Sequence, residues 1–245
     1  GFGRLSLGVQ SLDDHELRCL GRNHDAFAAR AAIDRAVAVF DRVSLDFIYA
    51  LPQQSLSQWE KRLSEICDLG ATHLSLFQLT IEPETAFGRA EARGALTPQP
   101  EDPAADFYDL TQQVTMDRGL PAYEVSSHAA PGDEAVHNAL YWDEATDAAK
   151  RSVAYPSLSQ KARIEVTNLS EHDLLLEVLG GGLRPVAGLD THRLGPSAAG
   201  VLHEAQELAE HGLLTIDGGT ITVLEKGRLL TDYIAARLAS GLSDT

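Results

Sequence analysis

The sequence predicts an α/β fold built from parallel βα units, followed by a small α+β unit toward the carboxyl end. Three segments in the first third alternate apolar and polar residues, and each is followed by a polar turn and a helical pattern. The last third instead places helices around a Gly–Gly hairpin. With 245 residues and 44% hydrophobic content, the chain is long enough for one sizeable domain and a small appendage.

The three predicted strands are Arg4–Gln10, Val43–Tyr49 and His73–Thr80. Apolar and polar residues alternate within them, and a period of two is typical of a strand that buries one face. Because amphipathic helical stretches separate the strands, the pattern predicts parallel strand pairing.

The helices between these strands have recognisable starts. Ser11 with Asp14 forms a predicted capping pair, Asp25 is a predicted N-cap, and Ser55 or Ser57 begins the next helix. The buried residues expected on the second and third of these helices are Ala29, Ile33, Ala36, Val37, Phe40, Trp59, Leu63, Ile66 and Leu69, with Gly70 as the stop.

Three domains are expected: residues 1–142, a linker with one helix and a loop over 143–170, and a winged-helix-like unit over 171–245. A helix over about 104–118, ended by Gly119, falls in the first. In the third we expect helices near Glu171–Leu179, Pro196–His211 and Glu225–Leu238, a loop at Gly180–Gly182 and a hairpin turning at Gly218–Gly219.

Composition excludes several classes of partner. The net charge of −16, and five Lys/Arg against eleven Asp/Glu from Glu171 onward, argue against nucleic acid, because phosphate binding needs clustered basic residues. No apolar run is long enough for a membrane span, and the first residues do not form a signal peptide. Cys19 and Cys67 cannot build a disulfide framework, so a cytoplasmic setting is expected.

Polar residues cluster where the predicted strands end, at 10–11, 46–52 and 78–83. In sheets and barrels of parallel strands, ligands bind at the carboxyl ends of the strands. The sequence therefore predicts a ligand site at that end of the sheet.

The ordered series RLSLGVQS, LGRNHD, VSLDFIYALPQQS, HLSLFQLTIEPETAF, YEVSSHAAPG and HNALYW resembles the radical SAM family of oxygen-independent coproporphyrinogen III oxidase-like proteins. The resemblance is close over residues 1–142 and looser over 171–240. It implies the later part of a partial (β/α)6 TIM-like barrel with a small winged-helix-like C-terminal domain. It also implies S-adenosylmethionine (SAM) and a [4Fe–4S] cluster as cofactors of the full-length protein.

By this resemblance, Gln10, Arg22, Asp46 and Thr80 are the residues that contact SAM. Their chemistry agrees, because Asp46 can accept hydrogen bonds from hydroxyls or an ammonium group, and Arg22 can pair with a carboxylate. Gln10 can both donate and accept. The alternative for Arg22 is a helix-surface charge paired with Asp25.

The run HNALYW, preceded by Pro131–Glu134, resembles the heme-chaperone branch of the family more than the oxidases. His137 or His128 could then ligate heme iron, since neutral imidazole is an axial ligand; alternatively, His137 and Asn138 only fix a loop beside Trp142. The implied function is a heme chaperone that delivers heme to acceptor proteins. Two alternatives stay open: an oxidase acting on a porphyrinogen substrate, and a cofactor-free fragment.

The sequence departs from the family pattern at three places. It contains no CxxxCxxC motif, so as written it should not cleave SAM. It opens on Gly1 rather than Met and runs from Trp142 directly into DEATDAAKRS, so we expect missing segments before the first strand and after Trp142. Ala50 stands where the family usually has Gly, which would be strained if its φ is positive.

Overall fold

The computed structural model describes residues 3–143, 151–153, 164–166 and 170–242. The chain divides into two compact units, Gly1–Glu134 and Ala135–Thr245. Among the described residues, no helix is both long and apolar enough to cross a lipid bilayer.

The first unit contains a four-stranded sheet in the order β1-β2-β3-β4. Strands β1 (Leu5–Gln10), β2 (Val43–Tyr49) and β3 (His73–Gln78) pair in parallel, as predicted. Strand β4 (Ser127–Ala129) pairs antiparallel with β3 and was not predicted, because three residues are too few to show a period.

Helices connect these strands: α1 (Asp14–Cys19), α2 (Ala26–Val39), α3 (Leu56–Cys67), α4 (Ala86–Ala92) and α5 (Glu101–Asp117). Helix α5 begins before the predicted residue 104, because Pro103 is tolerated in a first turn, where its missing N–H has no partner to lose.

The predicted caps were right for α2 and α3 but wrong for α1. The Asp25 carboxylate accepts from the Ala28 amide at 2.7 Å, and Ser55 forms a capping box with Gln58. Helix α1 is capped by Asp13 rather than Ser11. The Ser11 hydroxyl instead accepts from the Asp13 amide and donates to a carboxylate one turn further on.

One face of the sheet is packed under helices. The buried apolar residues of the strands alternate and meet the helices in one core, whose largest members are Trp59, Phe47, Phe107, Ile33, Leu45, Leu63, Ile66, Leu74 and Leu76. Tyr49 stacks on Trp59 with ring centroids 5.1 Å apart. The predicted buried residues of α2 and α3 all belong to this core or pack against it.

The opposite face, here called the polar face, carries Ser6, Ser44, Asp46, His73 and Ser75. It follows from the same alternation, because residues next to each other along a strand point to opposite sides. The register places Asp46 between Gly8 of β1 and Ser75 of β3.

The second unit combines helices with a small antiparallel sheet. Its elements are α6 (Val136–Asp143), the pair β5 (Arg151–Val153) and β6 (Ile164–Val166), α7 (Glu171–Gly182), α8 (Ala198–Glu210), α9 (Thr231–Ala239), and a sheet of β7 (Leu189–Asp190), β8 (Leu214–Asp217) and β9 (Thr220–Val223). The sheet order is β7-β9-β8, and β8 and β9 turn at Gly218–Gly219 as predicted. The helix predicted within residues 143–170 falls largely outside the described residues.

Two further predictions for this unit were wrong. The loop expected at Gly180–Gly182 is helical to Gly182, because a Cβ there would lie 2.4 Å from Leu189 Cδ1, and glycine lets the helix pack that closely. Tertiary packing thus overrides glycine's low helix propensity. The final helix begins only at Thr231, after a 3-10 segment over Glu225–Leu230.

Candidate functional site

Asp46 lies in the middle of β2 rather than at its end, with its side chain on the polar face. The Ser6 hydroxyl lies 3.3 and 3.2 Å from its two carboxylate oxygens, and the Ser75 hydroxyl also hydrogen bonds to it. Burial raises the pKa of Asp46, and the hydrogen bonds from Ser75 and Ser6 act in the opposite direction. The carboxylate has no cationic partner among the described residues.

Gln10 ends β1 on the same side of the sheet. The pairing of β1 with β2 shifts between Gly8 and Gln10, and Gln10 adopts a φ of 72°. A Cβ built on Gly8 would come within 2.9 Å of the Gln10 amide nitrogen Nε2, so the amide folds back over Gly8. Because Gly8 is in register with Asp46, the Gln10 amide and the Asp46 carboxylate share the polar face.

Backbone strain is concentrated next to these two residues. Among the described residues, the non-glycine positions with positive φ are Gln10, Ala50 and Gln53, all at or just after the carboxyl ends of β1 and β2. Ala50 has a φ of 55°, which makes it the strained position that the sequence suggested. Such conformations cost about 1–3 kcal/mol each and persist only where surrounding contacts fix them.

The contacts that fix this turn come from distant residues. The Gln99 amide donates to the carbonyls of Leu51 at 2.9 Å and Gln54 at 2.7 Å. The Gln54 amide in turn donates to Glu16 at 3.0 Å, and Glu16 accepts from the Ser11 hydroxyl beside Gln10. Sequence reasoning missed Gln54 and Gln99, because nothing in a local pattern links residues so far apart.

Arg22 and Thr80 are exposed and make no hydrogen bond to Asp46 or Gln10 within the described residues. Arg22 lies in the turn between α1 and α2, and Asp25 is engaged as a helix cap rather than in an ion pair with it. Thr80 follows β3 by two residues, where its hydroxyl makes a long 3.5 Å hydrogen bond to the Gln78 carbonyl. The structure therefore places Gln10 and Asp46 on the same face of the sheet, and within the described residues it does not join Arg22 or Thr80 to either of them.

A buried histidine occupies the amino-terminal end of the polar face. His73 Nδ1 lies 2.7 Å from the Ser44 hydroxyl, and Nε2 lies 2.8 Å from the Tyr123 hydroxyl. Burial, reinforced by the nearby Arg4 guanidinium, lowers the pKa of His73 to about 4. The ring is therefore neutral at neutral pH and links Ser44 and Tyr123 through hydrogen bonds.

Two buried polar side chains near β4 lack full hydrogen bonding. Glu124 is 3% exposed, and its Oε1 accepts from Ser126 at 3.0 Å while Oε2 has no partner among the described residues. His128 is completely buried opposite Leu74, and in the part of the chain that the structure describes neither ring nitrogen makes a full hydrogen bond. Burial lowers the pKa of His128 to about 4. Because Leu74 belongs to the core, His128 faces the helices and is not available as an axial ligand.

His137 is the second residue of α6, in the other unit, and its side chain is exposed. The end of the same helix is held in place, since the Arg184 guanidinium lies 5.2 Å from the Trp142 ring centroid and Arg193 donates to the Trp142 carbonyl at 3.4 Å. Of the HNALYW segment, the histidine is thus accessible and the tryptophan is anchored. The Tyr141 side chain lies outside the described residues.

The cysteines do not fit an iron–sulfur cluster. Cluster ligation by the expected motif takes three closely spaced thiolates, whereas the sequence has two cysteines, on α1 and α3. Burial raises the pKa of Cys67 to about 11 and that of Cys19 as well, which disfavours both thiolates. Within the described residues, no group of three or more His, Cys, Asp or Glu side chains could hold a metal ion.

Comparison with known proteins gives consistent relatives. No protein-family model matches the chain. It is 37% identical over 147 residues to the heme chaperone HemW of Synechocystis sp., covering 58% of this chain and 35% of that protein. It is also 31% identical over 282 aligned positions to the bovine mitochondrial radical S-adenosyl methionine domain-containing protein 1, covering all of this chain and 64% of that protein.

Among solved structures, the chain is similar to the coproporphyrinogen III oxidase HemN of Escherichia coli, a radical SAM enzyme. The TM-score is 0.70 at 21% identity, covering 99% of this chain and 65% of that one. This likeness confirms the predicted α/β class and agrees with part of a TIM-like barrel. The chain spans between about a third and two thirds of the length of these three proteins.

Proposed function

The chain belongs to the HemW-like radical SAM family, and on that premise we propose that it is the SAM-binding and heme-binding part of a heme chaperone. In this proposal Gln10, Arg22, Asp46 and Thr80 contact SAM, and His137 is a heme ligand. The full-length protein would hold the cluster through residues outside this sequence and deliver heme to acceptor proteins. The cytoplasmic setting inferred from the cysteines is part of the same proposal.

The observation that carries the SAM assignment is the half-buried Asp46 carboxylate sharing the polar face with the Gln10 amide. A carboxylate without a cationic partner suits the ribose hydroxyls or the ammonium group of SAM, because both donate hydrogen bonds. Gly8 supports the fit, since a Cβ at that position would lie 2.9 Å from Gln10 Nε2, and its absence lets the Gln10 amide lie over the β1–β2 pair on the face of Asp46. When bound, SAM would supply a methionine sulfonium that a cluster can reduce.

The exposed Arg22 completes this arrangement as the group for the SAM carboxylate. Guanidinium pairs with carboxylate through two parallel hydrogen bonds, and among the described residues Arg22 makes no ion pair that it would have to break. The chain's own residues thus bind and orient SAM, and no step of the chemistry is assigned to them.

Heme binding rests on the contrast within α6. His137 is exposed near the start of the helix, and Trp142 is fixed near its end, so the imidazole is presented from an anchored helix. A neutral imidazole is a standard axial ligand of heme iron.

The SAM assignment is tested by calorimetric titration of the 245-residue chain with S-adenosylhomocysteine. Asp46→Asn should weaken binding about 10- to 100-fold, because it removes hydrogen bonds to a charged acceptor. Asp34→Asn, an exposed carboxylate on α2, is the matched control and should bind as the parent does. Equal affinities for the two variants would contradict the assignment.

The heme assignment is tested by hemin titration followed at the Soret band. His137→Ala should abolish the Soret shift, whereas His203→Ala, an exposed histidine on α8, should not. A shift that survives His137→Ala would remove this residue from the site. Formation of protoporphyrinogen by the reconstituted full-length protein would instead support the oxidase activity.

A further inference from the structure

On the polar face, one serine hydroxyl lies on each side of Asp46, and the SAM assignment uses neither of them. Ser6 on β1 and Ser75 on β3 flank Asp46 on β2: Ser6 donates to its carboxylate, and Ser75 is paired with Asp46 in the strand register and lowers its pKa as a hydrogen-bonding hydroxyl. Neither belongs to the residues assigned to SAM by family resemblance. Their position on both sides of one carboxylate requires an explanation of its own.

The geometry distinguishes these two serines from their neighbour Ser44. All three lie on the polar face, and Ser44 is on the same strand as Asp46. Ser44 is directed to His73 at 2.7 Å, however, and is not among the groups that act on Asp46. Hydrogen bonding to Asp46 is therefore specific to the adjacent strands rather than a general property of this face.

We propose that Ser6 and Ser75 are positioning residues that keep the Asp46 carboxylate ionised and oriented toward the ligand, so that binding at this face depends on pH through Asp46. The inference rests on the proposed SAM site and extends it to the residues that prepare that site. Ser75 is buried and Ser6 exposed, so Ser75 contributes the larger effect, because a hydrogen bond shielded from water is electrostatically stronger.

The physical reason is the competition described above for Asp46. Burial favours the neutral acid, and hydroxyl donors favour the carboxylate. No charged side chain of β1, β2 or β3 is among the groups that act on Asp46 in the described chain, so the two serines are what oppose burial. Without them the acid would be protonated at higher pH and would lose an acceptor that the ligand needs.

The test is a carbon-13 NMR titration of the Asp46 carboxyl group in the full 245-residue chain, with circular dichroism to verify folding. Ser75→Ala should raise the pKa of Asp46 by about one pH unit, and Ser6→Ala by less. Ser44→Ala, the matched control on the same face, should leave the pKa of Asp46 unchanged. An unchanged Asp46 pKa in Ser75→Ala, or an equal rise in Ser44→Ala, would overturn the proposal.

The same variants are then titrated with S-adenosylhomocysteine across pH. The midpoint of the binding curve should move upward in Ser75→Ala by the amount the Asp46 pKa moves, whereas a merely structural defect would weaken binding equally at every pH. Different results would contradict the SAM site and the positioning role of the serines. If the parent chain does not bind at all, the SAM site is wrong; if it binds and the midpoint stays fixed in Ser75→Ala, the positioning role is wrong.

Discussion

Replacing His128 with leucine should halve the acid sensitivity of the first unit. His73 and His128 both have a pKa lowered to about 4, mainly by burial, against 6.5 for a free imidazole. Both are therefore neutral in the folded protein at pH values where the unfolded chain takes up two protons. Stability is fully present above pH 6.5 and is lost as the pH falls toward 4.

The magnitude follows from these pKa values. Between pH 7.5 and 5.5, each histidine lowers the free energy of unfolding by about 1.4 kcal/mol, so the pair lowers it by about 3 kcal/mol. His128→Leu should leave about half of this decrease. At pH 7.5 the variant should be as stable as the parent or more so, because it removes two buried nitrogens without full hydrogen bonds. Asp46, whose raised pKa acts in the opposite sense, is common to both proteins.

The assay is urea unfolding followed by tryptophan fluorescence in a Trp142→Phe background. Trp59, in the core of the first unit, then becomes the sole tryptophan, because the sequence contains two. His15→Gln, an exposed histidine on α1, is the control and should retain the full pH dependence. The same loss of stability between pH 7.5 and 5.5 in parent and His128→Leu would refute the reasoning.

Three further changes test packing, two in the second unit and one in the first. Gly200→Ala should destabilise the second unit by about 3 kcal/mol, because its Cβ would lie 2.1 Å from the Gly241 carbonyl oxygen. Gly180→Ala has open space at that position and should stabilise the unit by about 0.5–1 kcal/mol. Hydrogen exchange of this unit's amides measures both changes. Thr111→Val should lower the free energy of unfolding of the first unit by about 1–3 kcal/mol in the same urea assay, because the Trp59 indole N–H donates to Thr111 at 2.8 Å in the core; an unchanged value would mean that the indole finds another acceptor.

The elements that could be predicted from the sequence are those whose signal is local. The strand Val43–Tyr49 has the predicted bounds, and Asp25 caps the helix that it was predicted to cap. The Gly218–Gly219 turn was also predictable, because a two-residue hairpin needs positive φ at both positions. Periodicity, caps and turns are encoded within a few residues, so one sequence is enough to read them.

The arrangement of the site was only partly predictable. Family resemblance selected Asp46 and Gln10, but the Ser6 and Ser75 hydrogen bonds arise from strand register, which a local pattern does not fix. The contact of His73 with Tyr123 and the burial of Glu124 depend on the turn closed by the bridge between Ala122 and His128, which is too short to have a period. The features of the site that could not be predicted are therefore contacts between distant segments of the chain.

The strained turn after β2 couples the candidate site to a remote loop. The Gln99 amide hydrogen bonds to that turn from outside the sheet. Gln54 of the turn hydrogen bonds to Glu16, which in turn accepts from Ser11, the residue after Gln10. A ligand that favours one shape of the turn must, by reciprocity, favour one position of the segment around Gln99. The shape of the strained turn and the position of that loop are thus tied together by these hydrogen bonds.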